Sequence, residues 1–188
     1  MISVVNHTFQ YTYDFLTRIY PPSEPDERVT YWFNENIYST MDTDPKEVKK
    51  FEHVDLYDGK SVTSNSGNQI VFRLADAILL YAEALAELGT DDGKACGLLN
   101  RIRARAGAST LSLSGSELKD AIYWERVREL MGEGHYFYDL VRTGKVYNNQ
   151  YCYHPMTKSE FREGAWTWPI SRKAQENNTL ITLNNYWE

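Results

Sequence analysis

Cysteine is scarce: Cys96 and Cys152 are the only two in 188 residues, too few and too far apart for a disulfide framework or a four-ligand zinc site. Long apolar runs are missing as well. The greasiest stretch, Val71 to Leu88, is interrupted by Arg73, Asp76, Glu83 and Glu87, so it is no transmembrane span. Met1 to Tyr20 has no basic start and no apolar stretch of the kind a signal peptide needs. Basic charge is in deficit, 20 Lys and Arg against 26 Asp and Glu, for a net −6. A chain of this sign has no general attraction for phosphate backbones, and no local basic patch supplies one. Membrane spans and nucleic-acid partners are therefore not expected.

Motifs for chemistry are lacking too. There is no Gly-x-Ser-x-Gly, and Ser64-Asn65-Ser66-Gly67 has the composition of a turn. Gly93 to Gly97 lacks the lysine that follows the second glycine of a phosphate loop, and the strand before it. No His-x-x-x-His or Cys-x-x-Cys occurs, and His7, His53, His135 and His154 are isolated from one another. No metal, no cofactor and no catalytic residue is expected.

What is present is a globular balance, 42% hydrophobic and 24% charged, with an aromatic content of 14%. At this length the chain buries roughly 70% of its unfolded surface without any staple. Three zones follow one another: an irregular, aromatic-rich segment over 1–69, a helical core over 70–144, and an irregular tail over 145–188 that packs on the helices as part of one domain. Ser61 to Asn68 reads as the most loop-like stretch.

The central zone carries the clearest periodicity. Val71, Ala75, Ile78, Ala82 and Leu85 recur at helical steps, widened by Leu74, Leu79, Ala86 and Leu88, and Gly89 supplies a stop. Asp91 or Asp92 can cap a second helix, lined by Ala95, Leu98, Leu99, Ile102 and Ala106 and ended by Gly107. Ser114 to Glu117 matches a capping box before a third helix with Leu118, Ala121, Ile122, Leu130 and Met131, interrupted at Gly132 and Gly134. A short fourth helix, from Tyr136 to about Arg142, closes at Gly144. The fold class read from this is mainly α: two helical hairpins wrapped by long irregular segments, with a short two-stranded ribbon near Tyr31.

The first hairpin, with Tyr81-Ala82-Glu83-Ala84-Leu85, resembles a tetratricopeptide unit. A wider resemblance runs along most of the chain. Phe72 to Gly89, Leu99 to Gly107, and the block Glu117 to Lys145 are similar to the C-terminal part of SusD/RagB-type proteins. In that block Glu125-Arg126, Arg128-Glu129-Leu130, Glu133-Gly134-His135, Asp139-Leu140 and Arg142-Thr143-Gly144 keep the family's order. Asp26-Glu27-Arg28, Lys50-Phe51, Trp168-Pro169-Ile170 and Leu183 to Trp187 agree with it. Members are more than twice as long and begin with a lipoprotein signal, so the chain is expected to correspond to their C-terminal portion.

The resemblance implies a cell-surface lipoprotein of the Bacteroidetes outer membrane, its N-terminal lipid anchor absent from this chain. Such proteins take part in nutrient uptake and polysaccharide utilization. They bind an oligosaccharide or peptide nutrient, partner a SusC-like TonB-dependent transporter, and are not enzymes. The alternative is a helical-repeat protein-interaction module without glycan binding. An enzyme using two of the acids ranks third.

Two aromatic segments are candidate ligand sites, because flat rings stack on sugar faces while amides serve the hydroxyls. These are Tyr31, Trp32, Asn34 and Tyr38, and Tyr147, Asn149 and Tyr151. In the first, an extended backbone would put Tyr31 and Phe33 on one side and Trp32 on the other. Trp166 and Trp168 are expected in the core, pinning the tail. Glu125, Arg128, Glu129, Glu133 and Arg142 are expected to form a structural ion-pair network, since interleaved bases keep acids ionised and unsuited to proton donation.

Overall fold

The structure, a computed structural model, describes residues 2–5, 8–33, 36–38, 48–51, 53–57, 60–64, 70–178 and 180–188. Asn34 and the second half of the stretch read as loop-like, 65–68, lie outside the described residues. The chain is mainly helical and divides into two units, Met1–Glu133 and Gly134–Glu188.

The first unit opens with a hairpin of β1 (Ile2–Val5) and β2 (Thr8–Tyr11), followed by α1 (Tyr13–Ile19) and a single turn, α2 (Arg28–Tyr31). A second antiparallel hairpin pairs β3 (His53–Tyr57) with β4 (Lys60–Ser64). Three longer helices complete the unit: α3 (Leu74–Leu88), α4 (Asp92–Arg105) and α5 (Gly115–Glu129).

Among the described residues, the ribbon expected near Tyr31 is not found: Tyr31 ends α2, and the nearest β pairing among them is a single bridge from Phe33 to Val48. The local reason is a turn: Asp26 Oδ1 accepts the backbone N–H of Arg28 at 3.0 Å, and Glu27 N–H donates to Ala106 O at 2.8 Å. These bonds bend the chain into α2 and override the strand preference of its aromatic residues.

The core lies between α3, α4 and α5. Ala75, Ile78, Leu79, Ala82 and Ala86 face Ala95, Cys96, Leu99 and Ile102, with Leu118 and Ile122 closing the third side. Leu79, Leu99, Leu118 and Ile122 are fully buried, worth about 1.5–3 kcal/mol each. Val71, Leu74 and Leu88, read as part of this stripe, are exposed instead; α3 begins only at Leu74, so Val71 precedes it. α5 packs on both α3 and α4, so it is the third member of this core.

Asp91 caps α4, accepting from Lys94 N–H at 2.8 Å, and Gly89 closes α3 in the left-handed region. Ser114 occupies the α5 cap position, but its side chain makes no capping bond. Asp92 takes that role from α4, accepting the Gly115 N–H at 2.8 Å. Asn100 fastens the α4–α5 connection, bonding both the N–H and the carbonyl of Leu111 at 2.8 Å.

The second unit contains α6 (His135–Arg142), a 3₁₀ turn over Lys145–Tyr147, α7 (Lys158–Glu163) and α8 (Arg172–Asn177). Leu140, Val146 and Tyr151 are buried within it. Thr157 and Glu160 form a reciprocal capping box on α7. The tail returns onto α7 through Tyr186 N–H to Glu163 O at 3.0 Å, Asn184 Nδ2 to Thr167 Oγ1 at 2.6 Å and Trp187 Nε1 to Thr167 O at 3.1 Å. Trp187 and Asn184 thus pin the tail. Trp166 and Trp168, both expected in the core, are instead 41% and 87% exposed, Trp166 stacked on Phe161.

Candidate functional site

Glu125 and Glu129 lie one turn apart on α5, and Glu133 follows at the same spacing just beyond its end. All three side chains are almost fully buried. Buried carboxylates need cations, and these arrive from separate parts of the chain. Glu125 receives Arg28 at 2.8 Å, Arg103 at 3.1 Å and Arg128 at 3.2 Å. Glu129 receives Arg28 at 3.0 Å together with Arg73 and Arg105. Glu133 receives Arg73 at 2.8 Å and Lys50.

Arg28 is the most heavily used cation. Its Nε and Nη2 grip Asp26 at 2.9 and 2.7 Å, while the outer nitrogens reach α5. A planar five-donor fork is what such geometry requires. Behind it, Arg126 pairs with Asp76 of α3 at 2.8 Å.

The electrostatics follow from these pairs. Burial alone would raise the Glu125 pKa, but Arg28, Arg128 and Arg103 outweigh it and hold the carboxyl below its usual range. Burial likewise opposes ionisation of Glu133, and Arg73 and Lys50 reverse that. Lys50 goes the other way: burial brings its ammonium down to about 8, against the opposing pull of Glu133.

In front of this ladder is a cleft of about 200 Å³ lined by Glu27, Arg28, Tyr31, Trp32, Arg105 and Ala106. Tyr31 is 67% exposed and the Arg105 side chain 58% exposed. Trp32 is partly buried, with the Lys50 Nζ 4.1 Å from its ring centroid and the Arg28 guanidinium carbon 5.8 Å away. The side chain of Glu27 lies against Gly107, whose φ of +64° ends the α4 connection. The cleft therefore sets an open aromatic face beside a donor-rich guanidinium and an acceptor carboxylate.

The structure brings together Tyr31 and Trp32 of the first aromatic segment. Tyr38, partly buried, has its N–H bonded to Asn36 Oδ1 at 3.0 Å and is not among the cleft's lining residues. In the second unit, Tyr147 packs edge-on against Phe161 and Asn149 is exposed. Tyr151 is 8% exposed, with the Lys145 ammonium 3.9 Å above its ring and the Tyr136 hydroxyl donating to its carbonyl. It builds this unit's interior and presents almost no face to a ligand. Arg142, expected in the ion-pair network, pairs at 2.7 Å with Asp139 of its own helix.

Sequence reasoning left out Arg28, Lys50, Arg73, Arg103 and Arg105 from the network, and Glu27, Arg28 and Arg105 from the cleft. One signal was available. Arg101, Arg103 and Arg105 crowd the end of α4, and three cations there outnumber what a helix C-terminus needs. Among the described residues no cluster of His, Cys, Asp and Glu could hold a metal ion, and no helix is long and apolar enough to cross a membrane.

Comparison with known proteins is consistent across sequence and structure. A family model described as the SusD family matches residues 26–187. Two SusD-like proteins of Formosa agariphila are 42% and 38% identical to the chain over 86 and 110 residues. Those stretches are 43% and 53% of this chain and 16% and 21% of the relatives' own lengths. The crystal structure of a SusD homolog from Bacteroides thetaiotaomicron is 62% identical, with a TM-score of 0.86. That match covers 96% of this chain and 39% of the homolog.

Proposed function

The chain belongs to the SusD family, and from that premise we propose that it serves glycan capture at the bacterial outer surface. In this reading it is part of a lipid-anchored protein of the outer membrane that binds an oligosaccharide, or a peptide nutrient, and passes it to a SusC-like TonB-dependent transporter. The observation that carries the reading is the convergence of Tyr31, Arg105 and Glu27 on one cleft. The open phenol ring suits the C–H face of a pyranose. Arg105 donates to ring hydroxyls and Glu27 accepts from them. The volume of about 200 Å³ lies below the range of roughly 300–1,000 Å³ typical of drug-sized ligands. It suits a single sugar ring, with the rest of an oligosaccharide lying over the surface.

No catalysis is part of this proposal. A glycosidic general acid needs a raised pKa, and Glu125, held low by its three arginines, is set up for the opposite.

The test is a glycan panel against both this chain and the full-length protein, followed by calorimetry of any hit. Loss of roughly tenfold in affinity on Tyr31→Ala, equal to about 1.4 kcal/mol, is expected. A full-length protein that binds its glycan equally well with Tyr31→Ala would exclude the cleft.

A second reading is favoured by α3. Leu74, Ala77, Tyr81, Ala84 and Leu88 fall at alternating steps of three and four, and all five are exposed. A seam of this spacing fits another helix, which is the protein-interaction module. Capture of a helical partner that Leu74→Lys abolishes, with no glycan bound by either form, would put this reading first.

A further inference from the structure

We propose that Lys50 is the positioning residue of the cleft: it locks Trp32 as a fixed wall with one face sealed, and leaves Tyr31 as the stacking ring. The proposal rests on the glycan reading of that cleft. Its physical core is a set of contacts around one buried ammonium group.

Lys50 Nζ donates to the carbonyls of Glu129 at 2.8 Å and Met131 at 3.0 Å, and pairs with the Glu133 carboxylate. These acceptors stand at the C-terminal end of α5, where free helix carbonyls attract a cation. Three acceptors use all three ammonium hydrogens. The charge then faces the indole of Trp32 from 4.1 Å, well inside cation–π range. Lys50 thus joins the end of α5 to the ring that lines the cleft.

The backbone supports the same joint. Lys49 N–H donates to Trp32 O at 2.9 Å, and Val48 bridges Phe33. Next along, the Phe51 ring occupies the space beside Gly132 that a Cβ would need, only 2.7 Å from that position. With a φ of +79°, Gly132 is the residue that lets Phe51 seat there. Residues 48–51 are therefore clamped between the Trp32 segment and the end of α5.

One consequence distinguishes positioning from mere packing. The groups facing Lys50 are Glu129 and Glu133 at the end of α5, Arg73 ahead of α3, and the Trp32 and Phe51 rings. Arg105 of α4 and Arg28 of α2 act on it through Glu129. In this surrounding the ammonium deprotonates near pH 8. The sign is then fixed: the clamp on Trp32 is complete below that pH and is released above it. An arginine at the same place keeps its charge throughout.

The experiment labels the 188-residue chain with fluorotryptophan, which gives one fluorine resonance for each of five tryptophans. The Trp32→Phe variant assigns the Trp32 signal. Titration runs from about pH 6.5 to about pH 9.5, spanning the region where a buried lysine loses its proton. The Trp32 resonance is expected to shift with a midpoint close to pH 8, and Lys50→Arg to abolish that shift. Lys50→Met should show the alkaline position at every pH, with circular dichroism confirming that it folds. A Trp32 resonance that stays still, or one that moves alike in Lys50→Arg, overturns the proposal. No glycan enters the measurement, so a negative glycan panel and a failed clamp are separate results.

Discussion

Glu125 and Glu129, one turn apart on α5, share a single guanidinium: Arg28 reaches the first at 2.8 Å through Nη2 and the second at 3.0 Å through Nη1. The arginine comes from α2, about a hundred residues away in sequence. Its burial among carboxylates makes it a joint between the segment carrying the cleft aromatics and the helical core.

Arg28→Ala should therefore destabilise the fold severely. It leaves three buried carboxylates, those of Asp26, Glu125 and Glu129, short of a cation, a change that costs about 3–5 kcal/mol. Arg28→Lys should recover only part, because one ammonium cannot span Asp26, Glu125 and Glu129 as the planar fork does. Urea unfolding midpoints measure both; an Arg28→Ala loss below about 1 kcal/mol would show the joint to be dispensable.

The acid limb of stability has a definite direction. Glu125 and Glu133 have folded pKa values below their unfolded ones, so the unfolded chain binds more protons as pH falls. Their contribution is present above the ordinary glutamate value of about 4.3 and is lost as pH drops through the lower folded values. Melting temperature should hold from neutral pH to about 5 and fall steeply below about 4. Glu125→Gln should flatten that fall while lowering the neutral plateau. Parallel profiles for the two proteins would contradict the assignment.

Two tyrosines that look alike in sequence should behave oppositely. Tyr31→Ala removes an exposed ring, so stability should change by less than about 0.5 kcal/mol while glycan affinity drops. Tyr151→Ala empties an interior position and should cost about 3–5 kcal/mol. Thermal melts beside calorimetry separate the cases, and a stability loss at Tyr31 matching that at Tyr151 would refute the contrast.

Gly107→Ala tests the docking of α2 on the end of α4. The new Cβ meets Glu27 Cγ at 2.7 Å, on a backbone with φ of +64°. Each source of strain is of order 1 kcal/mol or more, so a loss of about 1–3 kcal/mol is expected. In a Glu27→Ala background the steric part should vanish and the backbone part remain. An unchanged loss in the double variant would leave the Glu27 contact without energetic weight.

The helical zone was the most legible part of the sequence. Steps of three and four, Gly89 and Asp91 located α3 and α4, because local periodicity and capping are written in neighbouring residues. The acids on α5 were legible for the same reason, being spaced by four. Their cations were not: Arg28, Lys50, Arg73, Arg103 and Arg105 come from four separate segments, and no local rule pairs them. An extended backbone at Tyr31 and Trp32 was a local expectation, whereas the hydrogen bond from Glu27 N–H to Ala106 O, 79 positions away, belongs to the turn that leaves Tyr31 at the end of α2 and Trp32 as its C-cap. Trp168 misled in the opposite sense, since hydrophobicity predicts burial only on average.

The three carboxylates on and just beyond α5 also bear on how the first unit comes apart. Any one segment that swings away takes its cation with it and strands buried negative charge on the helix. Partial opening is thus costly at every edge of the network, and the segments around α5 are tied to a single all-or-none transition. Backbone amides of α2 and of the end of α4, although near the surface, should share the slow solvent exchange of the core. The region that presents the cleft is then held still, and under the proposed glycan reading a ligand would meet it without its first having to be ordered.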